Sequence, residues 1–208
     1  FYPSPPQCHF CELLLTDIER DAWRVMLGLD RLTDDLESKK VFDDVVARAQ
    51  KTLSWDGLAW QATILSPSLD HLTLSRAVLY DSLLRGKPES GTFTEIDTAV
   101  SGLRRASDII RLPPGLLTRS WQRSLLGHTT GKDSAQSDLD ELWEIASRGP
   151  MPLFMADIHL HRARLFASTP KYPWKSVKDD LAQARVLITK HEYGRRQNEL
   201  EDAELALL

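Results

Sequence analysis

Cysteine is scarce in this chain of 208 residues: there are two, Cys8 and Cys11, only three positions apart. Thiols that close together provide no disulfide framework, which excludes a cross-linked secreted scaffold and makes a reducing, cytoplasmic setting the expectation. Long apolar runs are missing too. No stretch approaches the roughly 20 residues that cross a bilayer, and the first residues lack the basic-then-apolar layout of a secretory signal. Nor is there an excess of basic charge: 26 Lys and Arg stand against 30 Asp and Glu, a net charge of −4. A dedicated nucleic-acid binder would present a continuous basic face, so neither nucleic acid nor a membrane is an expected partner. Sustained apolar/polar alternation with β-branched enrichment is also lacking, which argues against a sheet.

What is present is an ordinary globular composition, 42% hydrophobic and 27% charged, sufficient for one elongated array or two small domains. Apolar residues recur at steps of three and four, the period of an amphipathic helix. The pattern predicts helices over 7–16, 20–31, 38–54, 57–65, 68–85, 94–109, 113–126, 135–148, 152–168, 174–190 and 195–206. Punctuation supports those limits. Gly86, Gly127, Gly149 and Gly194 stand at expected stops, Pro113, Pro152 and Pro173 at expected starts, and Pro67 is expected to break the run from 57 to 85. Thr94 and Ser134 can cap the helices that follow them. Phe1 and the prolines at 3, 5 and 6 lead to the expectation that the sequence is a piece of a longer multidomain protein.

One short pattern occurs three times at an interval of 43 residues: Leu74-Ser75-Arg76-Ala77, Leu117-Thr118-Arg119-Ser120 and Leu160-His161-Arg162-Ala163. Self-similarity at such a period is the signature of a helical repeat. Each copy is followed by a second helix with an apolar stripe at i, i+4 and i+7: Ala99, Leu103, Ala106; Ala135, Leu139, Leu142; Val177, Leu181, Ala184. Phe42, Val46 and Ala49 form an earlier copy of that stripe. The small residue at 77, 120 or 163 allows two helices to approach, and Tyr80 and Phe166 fill the next gap, where the middle copy has Arg123.

This arrangement resembles the tetratricopeptide repeat (TPR) over residues 38–206, although the repeats are longer than that family's. More narrowly, His71-Leu72-Thr73-Leu74-Ser75-Arg76-Ala77, Leu112-Pro113-Pro114-Gly115-Leu116-Leu117-Thr118-Arg119-Ser120 and Tyr193-Gly194-Arg195-Arg196 are similar to TPR segments of bacterial NACHT and NB-ARC proteins. The resemblance implies an all-α, TPR-like superhelical array of antiparallel helix pairs with a C-terminal capping helix. Residues 57–208 would form about three pairs and the cap, with 1–56 an N-terminal helical segment packed on them and 17–38 an insertion. It also implies a protein- or peptide-binding scaffold, the sensor or regulatory part of a larger bacterial signalling or defence protein.

Five residues are candidates for partner binding. Arg76, Arg119 and Arg162 share one repeat position, where a ladder of guanidinium groups could clamp carboxylates or phosphates. Equally, each could pack its stem between helices and pair with a neighbouring acid. Trp121 and Arg164 follow the small residue, a position that faces the concave groove in the TPR family, and either could anchor a partner.

Other motifs carry no chemistry. Cys8-His9-Phe10-Cys11 has the spacing of half a zinc site, but nothing completes four ligands, so no metal is expected and the cysteines read as small buried residues. The segment from Gly127 to Ser134 departs from a phosphate loop in spacing and context and reads as a helix connection. Adjacent acids such as Asp34-Asp35, Asp43-Asp44 and Asp179-Asp180 diverge on a helix and make no acid/base pair. No catalytic residue, no cofactor and no enzymatic activity are expected; a metal-dependent hydrolase using the histidines, or an oligomerisation segment, are the alternatives.

Overall fold

A computed structural model describes residues 4–54, 64–86 and 94–208, and among them every regular element is a helix. In order these are α1 (Ser4–Leu14), α2 (Thr16–Met26), α3 (Asp35–Leu53), α4 (Leu65–Leu84), α5 (Thr94–Arg105), α6 (Leu112–Leu125), α7 (Ala135–Arg148), α8 (Pro152–Phe166), α9 (Val177–Lys190) and α10 (Gly194–Leu207). The all-α class is thus observed. Most of the helix predicted over 57–65 lies outside the described residues.

The boundaries follow from local chemistry. Ser134 opens α7 with a reciprocal capping box: its Oγ accepts the Ser137 amide, while the Ser137 hydroxyl accepts the amide of Ser134. Gly86 and Gly127 take the left-handed conformation, φ +65° and +81°, just past α4 and α6. Three expectations shift. Pro67 lies in the first turn of α4 instead of breaking a run, since a first-turn residue needs no amide donor. Pro173 stays in a loop, and α9 starts after Ser176, whose Oγ accepts the Asp179 amide at 3.0 Å. Gly194 opens α10 instead of closing α9, which ends at His191 with Glu192 taking the positive φ.

The chain forms two compact units, one comprising residues 1–26 and 30–118, the other 27–29 and 119–208. In the first, α4 packs against α1, α2, α3 and α5. Ser68 of α4 faces Gly102 of α5, while His71, further along α4, reaches back to Glu95, so the two run antiparallel. Their close approach depends on Gly102, where an added Cβ would collide with the Ser68 side chain. Leu69, Leu72, Leu79, Ala99, Val100 and Leu103 are buried in this unit.

In the second unit α8 packs against α7, α9 and α10. Its core joins Ala156, Leu160 and Ala163 of α8 to Leu181, Ala184 and Ile188 of α9 and Leu200 and Ala203 of α10. Each buried leucine or isoleucine contributes about 1.5–3 kcal/mol relative to exposure. The apolar stripes are therefore the packing surfaces: Ala135, Leu139 and Leu142 are fully buried, as are Leu181 and Ala184, and Val177 packs against that core. The small residues Ala77, Ser120 and Ala163 are also sealed.

Candidate functional site

The repeated arginines are positioned by helices, and what surrounds each is different. Arg76 on α4 is buried and makes three hydrogen bonds: Nη1 to Glu12 Oε1 and Nη2 to Glu19 Oε2, both 3.0 Å, and Nε to the Tyr80 hydroxyl at 3.2 Å. Burial works against its charge, but Tyr80, Glu19 and Glu12 outweigh that and raise its pKa. Glu19 comes from α2, inside the segment read as an insertion.

Arg119 on α6 grips Asp138 of α7 through Nε at 3.1 Å and Nη2 at 2.7 Å, and Arg123 adds a third contact to the same carboxylate at 2.9 Å. The arginine that breaks the bulky-residue pattern is thus a second cation on Asp138. Burial nonetheless holds the Asp138 pKa above the usual carboxylate value.

Arg162 on α8 is as buried as the other two but is held mainly by aromatic rings. Its guanidinium lies over Trp143 of α7, 4.9 Å from the ring centroid, and over Trp174 of the α8–α9 loop, 4.4 Å away. Among the described residues its nearest acid is Asp140 Oδ1 at 3.5 Å, beyond hydrogen-bonding range, and its Nε is sealed without a partner among them. Burial lowers its pKa, against the pull of Asp180 and Asp140. Asp180 itself is engaged by His159 Nδ1 at 2.5 Å and by the Tyr172 hydroxyl. Burial and that carboxylate push the Tyr172 phenol upward.

The two proposed groove residues are interior. Trp121 is fully buried, edge-on to His161 with centroids 6.3 Å apart. Arg164 donates from Nη1 to Glu199 Oε2 at 3.0 Å and from Nη2 to the Glu199 carbonyl at 2.8 Å. Arg196, from the Tyr-x-Arg-Arg segment, bonds Asp157 at 2.7 Å and also reaches Glu199, so a buried network of alternating charge fastens α10 to α8.

A signal for one of these acids was present in the sequence. The fourth residue of the second helix is aspartate in all three pairs: Asp97 in α5, Asp138 in α7 and Asp180 in α9. Asp138 meets the repeat arginine of its own pair; Asp180 is taken by His159 and Tyr172, leaving Arg162 without the equivalent acid.

An open cleft lies elsewhere, where α3 packs on α4. It consists of two adjoining hollows of about 530 and 260 Å³ that share Phe42, Asp81 and Arg85. The apolar lining is Phe42, Val46, Ala47, Ala77, Val78 and Leu84. Arg31 pairs with Asp35, and Arg85 with Asp81 at 2.6 Å, so these rim charges are committed. Lys39 and Asp43, one turn apart on α3, are exposed and have no ion pair among the described residues.

Cys8 and Cys11 are buried on α1, and burial raises their pKa values to about 11 and about 12, so both stay as inert thiols. In the connection from Gly127 to Ser134 the carbonyls of His128 and Thr129 accept the Ala135 and Gln136 amides at 2.9 and 3.0 Å, occupying donors a phosphate would need. Among the described residues no group of three or more His, Cys, Asp and Glu could hold a metal ion, and no helix is long and apolar enough to cross a membrane. The chain matches no protein-family model, no curated protein and no solved structure.

Proposed function

We propose that this chain is a protein- or peptide-binding helical scaffold, serving binding and not catalysis. The observation that carries this reading is the α3–α4 cleft, whose larger hollow of about 530 Å³ lies within the range of ligand pockets. Its lining suits the apolar side of an amphipathic segment. The uncommitted charges of Lys39 and Asp43 would select a segment bearing an acidic residue one turn from a basic one. The similarity of residues 71–77, 112–120 and 193–196 to repeats of bacterial NACHT and NB-ARC proteins supports the finer reading, a sensor or regulatory region of a larger signalling or defence protein.

Selection of displayed peptides against the immobilised chain tests the reading. Enriched peptides should be amphipathic, and Val78→Arg, which places a charge on the half-buried cleft wall, should abolish their binding without lowering the melting temperature. Peptides that bind the wild type and Val78→Arg equally would contradict it.

A further inference from the structure

Arginines at one repeat position would be expected to find equivalent partners, and two of the three do find buried hydrogen-bonded acids. Arg162 does not. With 8% of its side chain exposed, its guanidinium makes no hydrogen bond among the described residues, and Asp140 at 3.5 Å is its only acid contact among them. A buried guanidinium in that condition has lost most of its water and regained little, which is costly unless something else compensates. The two indole faces offset part of the loss. They also define what could supply the rest. Trp143 and Trp174 both lie against the guanidinium, which leaves the edge that carries its Nη nitrogens as the place for a ligand. Nε is sealed, whereas the Nη nitrogens, which make no hydrogen bond either, are not sealed. In-plane approach to that edge is the geometry of a bidentate carboxylate.

Asp140 holds the place loosely. Its side chain is 48% exposed and accepts from Trp174 Nε1 at 3.0 Å, and it can turn outward by an ordinary rotamer change. The charge around the site decides between anions. Asp140 and Asp180 both act on Arg162, so a phosphate dianion meets more repulsion than a monoanionic carboxylate.

We infer that Arg162 is a receptor for a ligand carboxylate, walled by Trp143 and Trp174, with Asp140 as the internal acid that the ligand displaces. This site lies in the second unit and does not depend on the α3–α4 cleft of the first.

The test is a titration of the whole chain, followed through the Trp174 indole N–H resonance, with four probes. These are an amidated tripeptide with one Glu, an acid-free tripeptide with a free C-terminus, the acid-free amidated tripeptide, and inorganic phosphate. A saturable shift is expected with one or both carboxylate peptides, and which of them responds distinguishes a side-chain from a C-terminal source. Arg162→Met should weaken it about tenfold or more, as for a lost charge-assisted hydrogen bond. Arg162→Lys, which keeps the charge but loses the fork, should weaken it as well, and Asp140→Asn, which keeps an acceptor for Trp174, should strengthen it several-fold. The inference is overturned if neither carboxylate probe exceeds the amidated control, if phosphate binds as well as the peptides, or if Asp140→Asn weakens binding.

Discussion

Arg119 holds Asp138 by two parallel hydrogen bonds, Nε to Oδ2 and Nη2 to Oδ1, within the interior of the second unit. A pair of this kind says little about net stability relative to an apolar pair, but breaking it strands a charge. Asp138→Asn should therefore leave Arg119 and Arg123 facing a neutral amide and cost about 3 kcal/mol. The double variant Arg119→Met with Asp138→Leu should recover much of that loss. Urea unfolding of the three proteins checks the non-additivity.

The network that fastens α10 to α8 makes a comparable prediction. Arg196→Met removes the hydrogen-bonded cation of Asp157 and one of the two guanidinium groups on Glu199, so it should destabilise by about 3–5 kcal/mol. Amide hydrogen exchange should show α10 opening first, because Leu200 and Ala203 are its main apolar anchors.

How much of this was legible in the sequence depends on how far apart the partners lie. The stripe Ala135, Leu139, Leu142 and the Ser134 cap are local patterns, and both the limits and the buried face of α7 follow from them. The acids that meet Arg76 lie 64 and 57 residues away, on α1 and α2 respectively, where no spacing rule connects them. The aromatic setting of Arg162 was hidden for a related reason. Trp174 was expected to begin a helix but lies in the loop ahead of α9, and Asp180 is taken by His159 and by Tyr172 from the same loop. The α3–α4 cleft is a gap between surfaces, and no residue type marks it.

Gly102 sets the distance between α4 and α5. Gly102→Ala would press a methyl group on Ser68, whose Oγ is bonded back to the Ile64 carbonyl, and should cost about 1–3 kcal/mol by overpacking despite the gain in helix propensity. Thermal unfolding against wild type measures it, and Ser68→Gly in the same background should restore part of the loss.

The α5–α6 connection should respond to acid. Asp108 is partly desolvated, which alone would raise its pKa, but hydrogen bonds from the Arg111 side chain and amide and from the Ile110 amide lower it overall. A depressed folded-state pKa contributes stability that is present above the unfolded value of 3.8 and is lost as pH falls through the folded value. Asp108→Ala should thus be less stable than wild type at neutral pH, with the gap closing in acid as pH falls from 3.8 through the folded-state value. Urea midpoints at neutral and acid pH decide it.

One repeat position is an internal bond in two copies and, by the inference above, a binding group in the third. Unfolding free energies of Arg119→Met and Arg162→Met, measured side by side, test it most directly. A loss of about 2 kcal/mol or more is expected for Arg119→Met, which takes two hydrogen bonds from the buried Asp138 and leaves it Arg123 alone. For Arg162→Met the expected loss is about 1 kcal/mol or less: Asp140 is half exposed, Asp180 keeps His159 and Tyr172, and a thioether still packs against the indoles. Equal and large losses for both variants would contradict it and make Arg162 as structural as Arg119.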